Sequence, residues 1–167
     1  MRHAVLALIL TAALAGGASA SAPWRLTPEG VGPVRLGMTI DQAIAAVHPL
    51  AVDTAPAEAQ GCQEFRVDGP TPFHFLAEQG RVARVSVTEP GLTTARGIGP
   101  GDAEAAVRRA YGPGLINQPA SFDDLPAHDL VFWASPGHGF RFEIGQDGKV
   151  LLIHAGGKAI QYVEGCE

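Results

Sequence analysis

Residues 34–49 read VRLGMTIDQAIAAVHP, and residues 98–112 read IGPGDAEAAVRRAYG. Each stretch opens on an apolar residue, places a glycine three positions later (Gly37, Gly101), and passes through a capping residue into a short helix. In the first, Thr39 is the expected N-cap and Gln42 stands at N3. That is the spacing of a capping box, in which each side chain accepts a hydrogen bond from the other residue's backbone N–H. Ile40, Ala43, Ile44 and Val47 then follow the i, i+3, i+4, i+7 spacing of one buried stripe, and Pro49 cannot continue the helix. In the second, Asp102 is the expected cap and Glu104 suits the positive first turn. Ala103, Ala106, Val107 and Ala110 repeat the stripe, Arg108 and Arg109 suit the negative end, and Gly112 suits the position beyond it. Helices of two or three turns do not form alone in water, so both must pack on a sheet.

The segments after each helix supply that sheet. Residues 62–67, 73–77 and 82–87 read as strands in the first half, and residues 130–134, 140–144 and 150–154 in the second. Asp147-Gly148 is a strong hairpin signal, because glycine reaches the positive φ a tight turn requires, and Gln79-Gly80 is a weaker version of it. Phe140, Phe142 and Ile144 alternate with Arg141 and Glu143, as a strand with one buried face does; Val85 and Val87 alternate with Arg84, Ser86 and Thr88 in the same way. Residues 160–163 read as a last short strand, and residues 113–128, rich in Pro, Asn, Ser and Asp, read as a long loop. The expected fold is therefore α+β. Two tandem helix-plus-antiparallel-sheet modules, residues 21–90 and 91–167, meet at a Pro/Gly seam over residues 90–97, with the helices packed on one sheet face. The offset between halves is 63 when caps are matched (39 to 102), 64 for the glycines (37 to 101) and 68 for the hairpin glycines (80 to 148), which small insertions would explain.

The chain has 167 residues and a formal charge of −5, an acidic balance that argues against non-specific nucleic-acid binding. Residues 1–20 read as a secretory signal peptide: Arg2 is the positive n-region, residues 4–14 are a short apolar run, and Ala18-Ser19-Ala20 is an A-x-A cleavage site. The run is too short to span a bilayer, and no later stretch is long and apolar enough to do so. The expected location is periplasmic or secreted, with no integral membrane segment after signal removal. In an oxidising compartment Cys62 and Cys166 are expected to pair, closing a long loop.

The openings Val34-x-x-Gly37-Met38-Thr39 and Ile98-x-x-Gly101-Asp102, each leading into a helix and then a meander, resemble a known structural group in layout. It is the tandem α/β modules of the secreted β-lactamase inhibitor proteins and of the small outer-membrane-assembly lipoproteins. The resemblance implies helices on one face of antiparallel sheets and a second face free to hold a partner. The chain departs from the lipoproteins in lacking a lipidated cysteine, and from the inhibitors in having one possible disulfide where they carry one in each module.

No motif announces a reaction. Gly97-Ile98-Gly99-Pro100-Gly101-Asp102 approaches the dinucleotide loop G-x-G-x-x-G, but Asp102 would repel phosphate, so a tight turn is expected. His48, His74, His128, His138 and His154 stand singly, without H-x-H or H-E-x-x-H, so neither a metal nor another cofactor is expected. There is no G-x-S-x-G, and no catalytic set is expected. What remains is the free sheet face, with Trp133 as a core residue or a binding anchor and Arg84, Arg141 and Glu143 as its polar neighbours. The expectation is a non-enzymatic envelope protein that binds a protein or peptide. Two alternatives are a small secreted hydrolase joining His128 or His138 to Asp123 or Asp124, and a sensor with a cavity for a small apolar molecule between sheet and helices.

Overall fold

The computed structural model describes residues 23–54, 61–121 and 124–166; the expected leader, the proposed cleavage site and Asp123 lie outside them. The order is β1 (Arg25–Thr27), β2 (Gly30–Val31), β3 (Val34–Arg35), α1 (Ile40–Val47), β4 (Val52–Thr54), β5 (Cys62–Val67), β6 (Phe73–Glu78) and β7 (Arg81–Val87). Then come β8 (Thr93–Thr94), α2 (Glu104–Tyr111), β9 (Leu115–Pro119), β10 (His128–Ser135), β11 (His138–Ile144) and β12 (Val150–Gly156). The fold is α+β. An eight-stranded sheet runs β4-β5-β6-β7-β12-β11-β10-β9, and a small sheet runs β3-β2-β1-β8. Among the described residues no helix is long and apolar enough to cross a membrane.

The large sheet is two four-stranded meanders joined at their last strands, β7 against β12, through Ile153↔Val87, His154↔Ser86, Ala155↔Val85 and Gly156↔Arg84. Each meander follows one helix, and both helix starts are held by the same backbone bonds to the final hairpin. Gly37 N–H donates to Val82 O, Val82 N–H to Met38 O, and Ile40 N–H to Gly80 O. In the second half Gly101 N–H donates to Val150 O, Val150 N–H to Asp102 O, and Glu104 N–H to Gly148 O. The turn glycines Gly80 and Gly148 have φ of 73° and 72°, the left-handed conformation that makes both hairpins possible. The helix-start offset is thus 64, as the glycines indicate, and the cap-based offset of 63 fails. The reason is local: Ala103, not Asp102, is the N-cap of α2, and Asp102 Oδ2 instead accepts from Gly99 N–H at 2.8 Å, inside the turn before it. In α1 the full capping box between Thr39 and Gln42 forms as read.

The core lies between one face of the large sheet and the helices. Phe65 and Phe75 stack with ring centroids 4.6 Å apart, and Tyr111 of α2 sits 5.0 Å from Phe142. Val85, Val87, Leu130, Ile153 and Val107 are fully buried around them. Each such side chain contributes on the order of 1.5–3 kcal/mol by leaving water. The small sheet and β4 were not expected, and two further stretches depart from the expected pattern. Residues 115–119 form β9, where a loop was expected, because pairing with the apolar β10 outweighs the turn-rich composition. Residues 158–161 form a short 3-10 turn that overlaps the strand expected over 160–163, since the chain leaves the sheet at Gly156 and doubles back over it.

Candidate functional site

On the face opposite the helices, strand alternation places one row of side chains from edge to edge. The Cα partners run Arg66↔His74, His74↔Ser86, Ser86↔His154, His154↔Arg141, Arg141↔Val131 and Val131↔Ile116. A neighbouring row runs Glu64, Leu76, Arg84, Gly156, Gly139 and Trp133. Its two glycines leave a trough. A Cβ at position 156 would lie 2.5 Å from Ala83 O, so glycine lets the outgoing chain stay against β7.

The chain's own C-terminal segment, residues 157–166, crosses this face as a strap. Gly157 N–H donates to Ala83 O at 3.3 Å. Arg84 Nη1 donates to the carbonyls of Ala159 (3.3 Å) and Tyr162 (3.2 Å), and Arg141 Nη1 to those of Ile160 (3.2 Å) and Tyr162 (3.3 Å). Tyr162 Oη donates to Glu78 Oε1 at 2.6 Å. The disulfide Cys62–Cys166, with Cα atoms 5.5 Å apart, pins the far end to β5. The expected open face is therefore partly covered. Arg84 and Arg141, read as partner contacts, are each 4% exposed, and each turns its Nη1 onto the strap. Sequence reading missed this because a strap leaves no periodic signal, and only its cysteine was legible.

The two arginines are paired differently. Arg84 reaches Glu64 at 3.1 Å, and Glu64 is 45% exposed. Arg141 lies 2.9 Å from Asp129, whose side chain is 6% exposed, and 2.8 Å from Glu143. Burial pushes the Arg84 guanidinium below its ordinary range, opposed by Glu64, and pushes the Asp129 carboxyl up, opposed by Arg141. Burial also pushes Glu143 up, but the His154 hydrogen bond and the charges of Arg141 and Arg84 outweigh it and hold the carboxyl below its usual range.

Between strap and sheet lies a groove of about 260 Å³ reached by Ser86, His154, Glu143, His74, Val163 and Glu164. Ser86 Oγ lies 2.8 Å from His154 Nδ1, and His154 Nε2 lies 3.1 Å from Glu143 Oε1. Burial lowers His154 to about 4, so at neutral pH the ring is uncharged. One tautomer satisfies both contacts: Nε2–H donates to Glu143 and Nδ1 accepts from the serine hydroxyl. Such a row can draw a proton from Ser86 toward the carboxylate, although a ring with so low a pKa is a weak base. The hint in the sequence was Ser86 and His154 each alternating with valines or isoleucine, but their pairing depends on the β7–β12 join.

The other candidates are dispersed. Trp133 is half-buried at the β10 end of the trough, and Glu143, opposite Asp129 and Leu152, bonds Arg141 and His154 rather than lying beside Trp133. His128 contacts Pro126 O (2.9 Å) and Glu104 (3.2 Å), joining β10 to α2, while Asp124 is exposed and Asp123 lies outside the described residues. The structure assembles Ser86, His154 and Glu143, residues that were not among those expected for a hydrolase. Among the described residues no group of three or more His, Cys, Asp or Glu is placed to hold a metal.

No family model and no curated protein matches the chain. Solved structures that share its fold include two at low sequence identity. The uncharacterized protein yfeY from Escherichia coli is 17% identical, covering 79% of this chain and 99% of its own, with a TM-score of 0.56. An extracellular protein containing an SCP domain from Bacillus anthracis is 8% identical, covering 74% of this chain, with a TM-score of 0.52. This chain corresponds to 44% of that protein's length. At such identities the likeness establishes the α+β fold.

Proposed function

We propose that this is an exported, non-enzymatic protein that binds an extended protein or peptide segment on the strap face of its large sheet. The observation that carries the reading is the strap itself. The face already seats a run of polypeptide through main-chain carbonyls, using two buried arginines fixed by carboxylates. Beside the strap it leaves a groove, the half-buried Trp133, and Ile116 at 48% exposure on the edge strand β9. An edge strand with an apolar side chain on its open face suits the addition of a partner strand. The disulfide supports an oxidising compartment, as do the expected leader and the extracellular neighbour. The matched helix–hairpin bonds support an origin in two tandem modules and the layout of the inhibitor and assembly-lipoprotein group. The test is photo-crosslinking from position 116 in the native envelope fraction. A discrete adduct that disappears with Trp133→Ala supports the reading, and no adduct at either position 116 or 133 sinks it.

The row Ser86–His154–Glu143 favours a second reading, a serine hydrolase acting in the groove. A fluorophosphonate probe should then label the protein, and Ser86→Ala should abolish labelling. An unlabelled wild-type protein removes this reading.

A further inference from the structure

On the opposite side of the sheet, under the loop after β8, the large aromatic side chains of the second half leave a cavity of about 290 Å³. Its floor is Tyr111, Phe132 and Phe140, with Leu26 from β1 as one wall and Ala134 at the rim. The rings are arranged as a cup. Tyr111 lies 4.9 Å from Phe132 and 5.8 Å from Phe140, tilted or edge-on to both. Over the cup lies Arg96, its Cζ 4.7 Å from the Tyr111 centroid and 5.1 Å from that of Phe132. Arg96 donates Nη1 to Ala110 O at 2.7 Å, at the end of α2. Among the described residues no carboxylate forms an ion pair with it, in contrast to Arg84, Arg141, Arg66 and Arg108. Five N–H donors on an exposed guanidinium, one of them engaged, leave room for a bidentate acceptor.

We propose that this cup is a binding site for a small organic acid with a flat apolar body, its ring resting on Phe132, Leu26 and the exposed edges of Tyr111 and Phe140, and its carboxylate on Arg96. Size and lining match what small-ligand sites use: apolar and aromatic walls with a single orienting polar group. The guanidinium already stacks on the rings, so its position is fixed before a ligand arrives and little rotamer freedom is lost on binding. Thr27 and Glu29 also line the rim. The site is independent of the strap face, so its failure leaves the peptide-binding reading untouched.

The experiment is a pair of titrations of the intact protein followed by NMR, with 3-phenylpropanoate and with the neutral 3-phenylpropanol. The acid should bind with a Kd on the order of 0.1–1 mM, as a fragment of this size allows. Arg96→Gln should weaken the acid about ten-fold, the worth of a charge-assisted hydrogen bond, and leave the alcohol within about two-fold. Ala134→Trp, which fills the rim without touching the Ala110 contact, should block both probes. A thermal scan of each variant separates loss of the site from loss of the fold. The proposal is overturned if neither probe gives a saturable shift, if acid and alcohol bind equally, or if binding survives Ala134→Trp in a folded protein.

Discussion

The two helix starts occupy matching places and are secured differently. Thr39 and Gln42 close a capping box at α1, whereas α2 begins at Ala103 with no side-chain cap, and its acid, Asp102, is turned back toward Gly99. Both nevertheless receive the same three backbone bonds from their hairpins. The lesson is that the hairpin, not the cap, places the helix; a cap contributes stability where it occurs and is dispensable where the hairpin is in register. The strap face shows a second contrast. The arginine of the first half pairs with a half-exposed carboxylate, that of the second with a buried one.

The largest effect should come from the link that ties the end of the second half onto the first. The bridge between residues 104 apart restricts the unfolded chain, so removing it by Cys62→Ala with Cys166→Ala should cost about 4–5 kcal/mol in urea unfolding. A loss below about 1 kcal/mol would mean that the arginines alone hold the strap. Next, Arg141→Ala strands Asp129 in the sheet and should cost about 3–5 kcal/mol, while Arg84→Ala leaves Glu64 to water and should cost visibly less. Equal costs would erase the contrast between the two arginines.

The join between halves should also respond to acid. His154 has a folded pKa of about 4 against about 6.5 unfolded, so between those values the unfolded chain binds more protons. Its contribution is complete above pH about 6.5 and declines by about 3 kcal/mol as the pH falls to 4. Urea midpoints from pH 8 to 4.5 should show that slope, reduced in His154→Gln; an unchanged slope in the variant assigns it elsewhere. The smallest effects belong to the caps. Thr39→Ala should lose about 1 kcal/mol, and Ala103→Ser should gain a few tenths by supplying what α2 lacks. A neutral Thr39→Ala would show that the hairpin bonds carry the whole helix start.

Much of the fold was legible because it is written in local chemistry. Thr39 with Gln42, the stripe from Ile40 to Val47, the turns at Gly80 and Gly148, and the alternation through Phe140 and Ile144 each depend on neighbours a few residues apart. The pairing of Cys62 with Cys166 followed from there being only two cysteines. What escaped depends on contacts distant in sequence. β9 exists because β10 offers it a partner, and Asp102 could not be distinguished from a cap while its alternative donor, Gly99, was equally close. The site was the least legible part. Ser86 and His154 are separated by 68 residues and meet only where two meanders join, and nothing in the alternation around Arg84 or Arg141 says that the chain's own end will lie across them.

The sulfur bridge also decides how the molecule answers to tension. A pull applied between residue 23 and Cys166 travels through residues 23–62 and then directly across the bridge. The segment between the cysteines, which includes β6, β7, α2 and β9 to β12, forms a closed ring outside that line of load. Stretching can peel away β1 to β4 and α1, about 140 Å of extended chain at ~3.5 Å per residue, and must then stop. The joined meanders, with their rows of side chains, would survive mechanical handling that strips the rest.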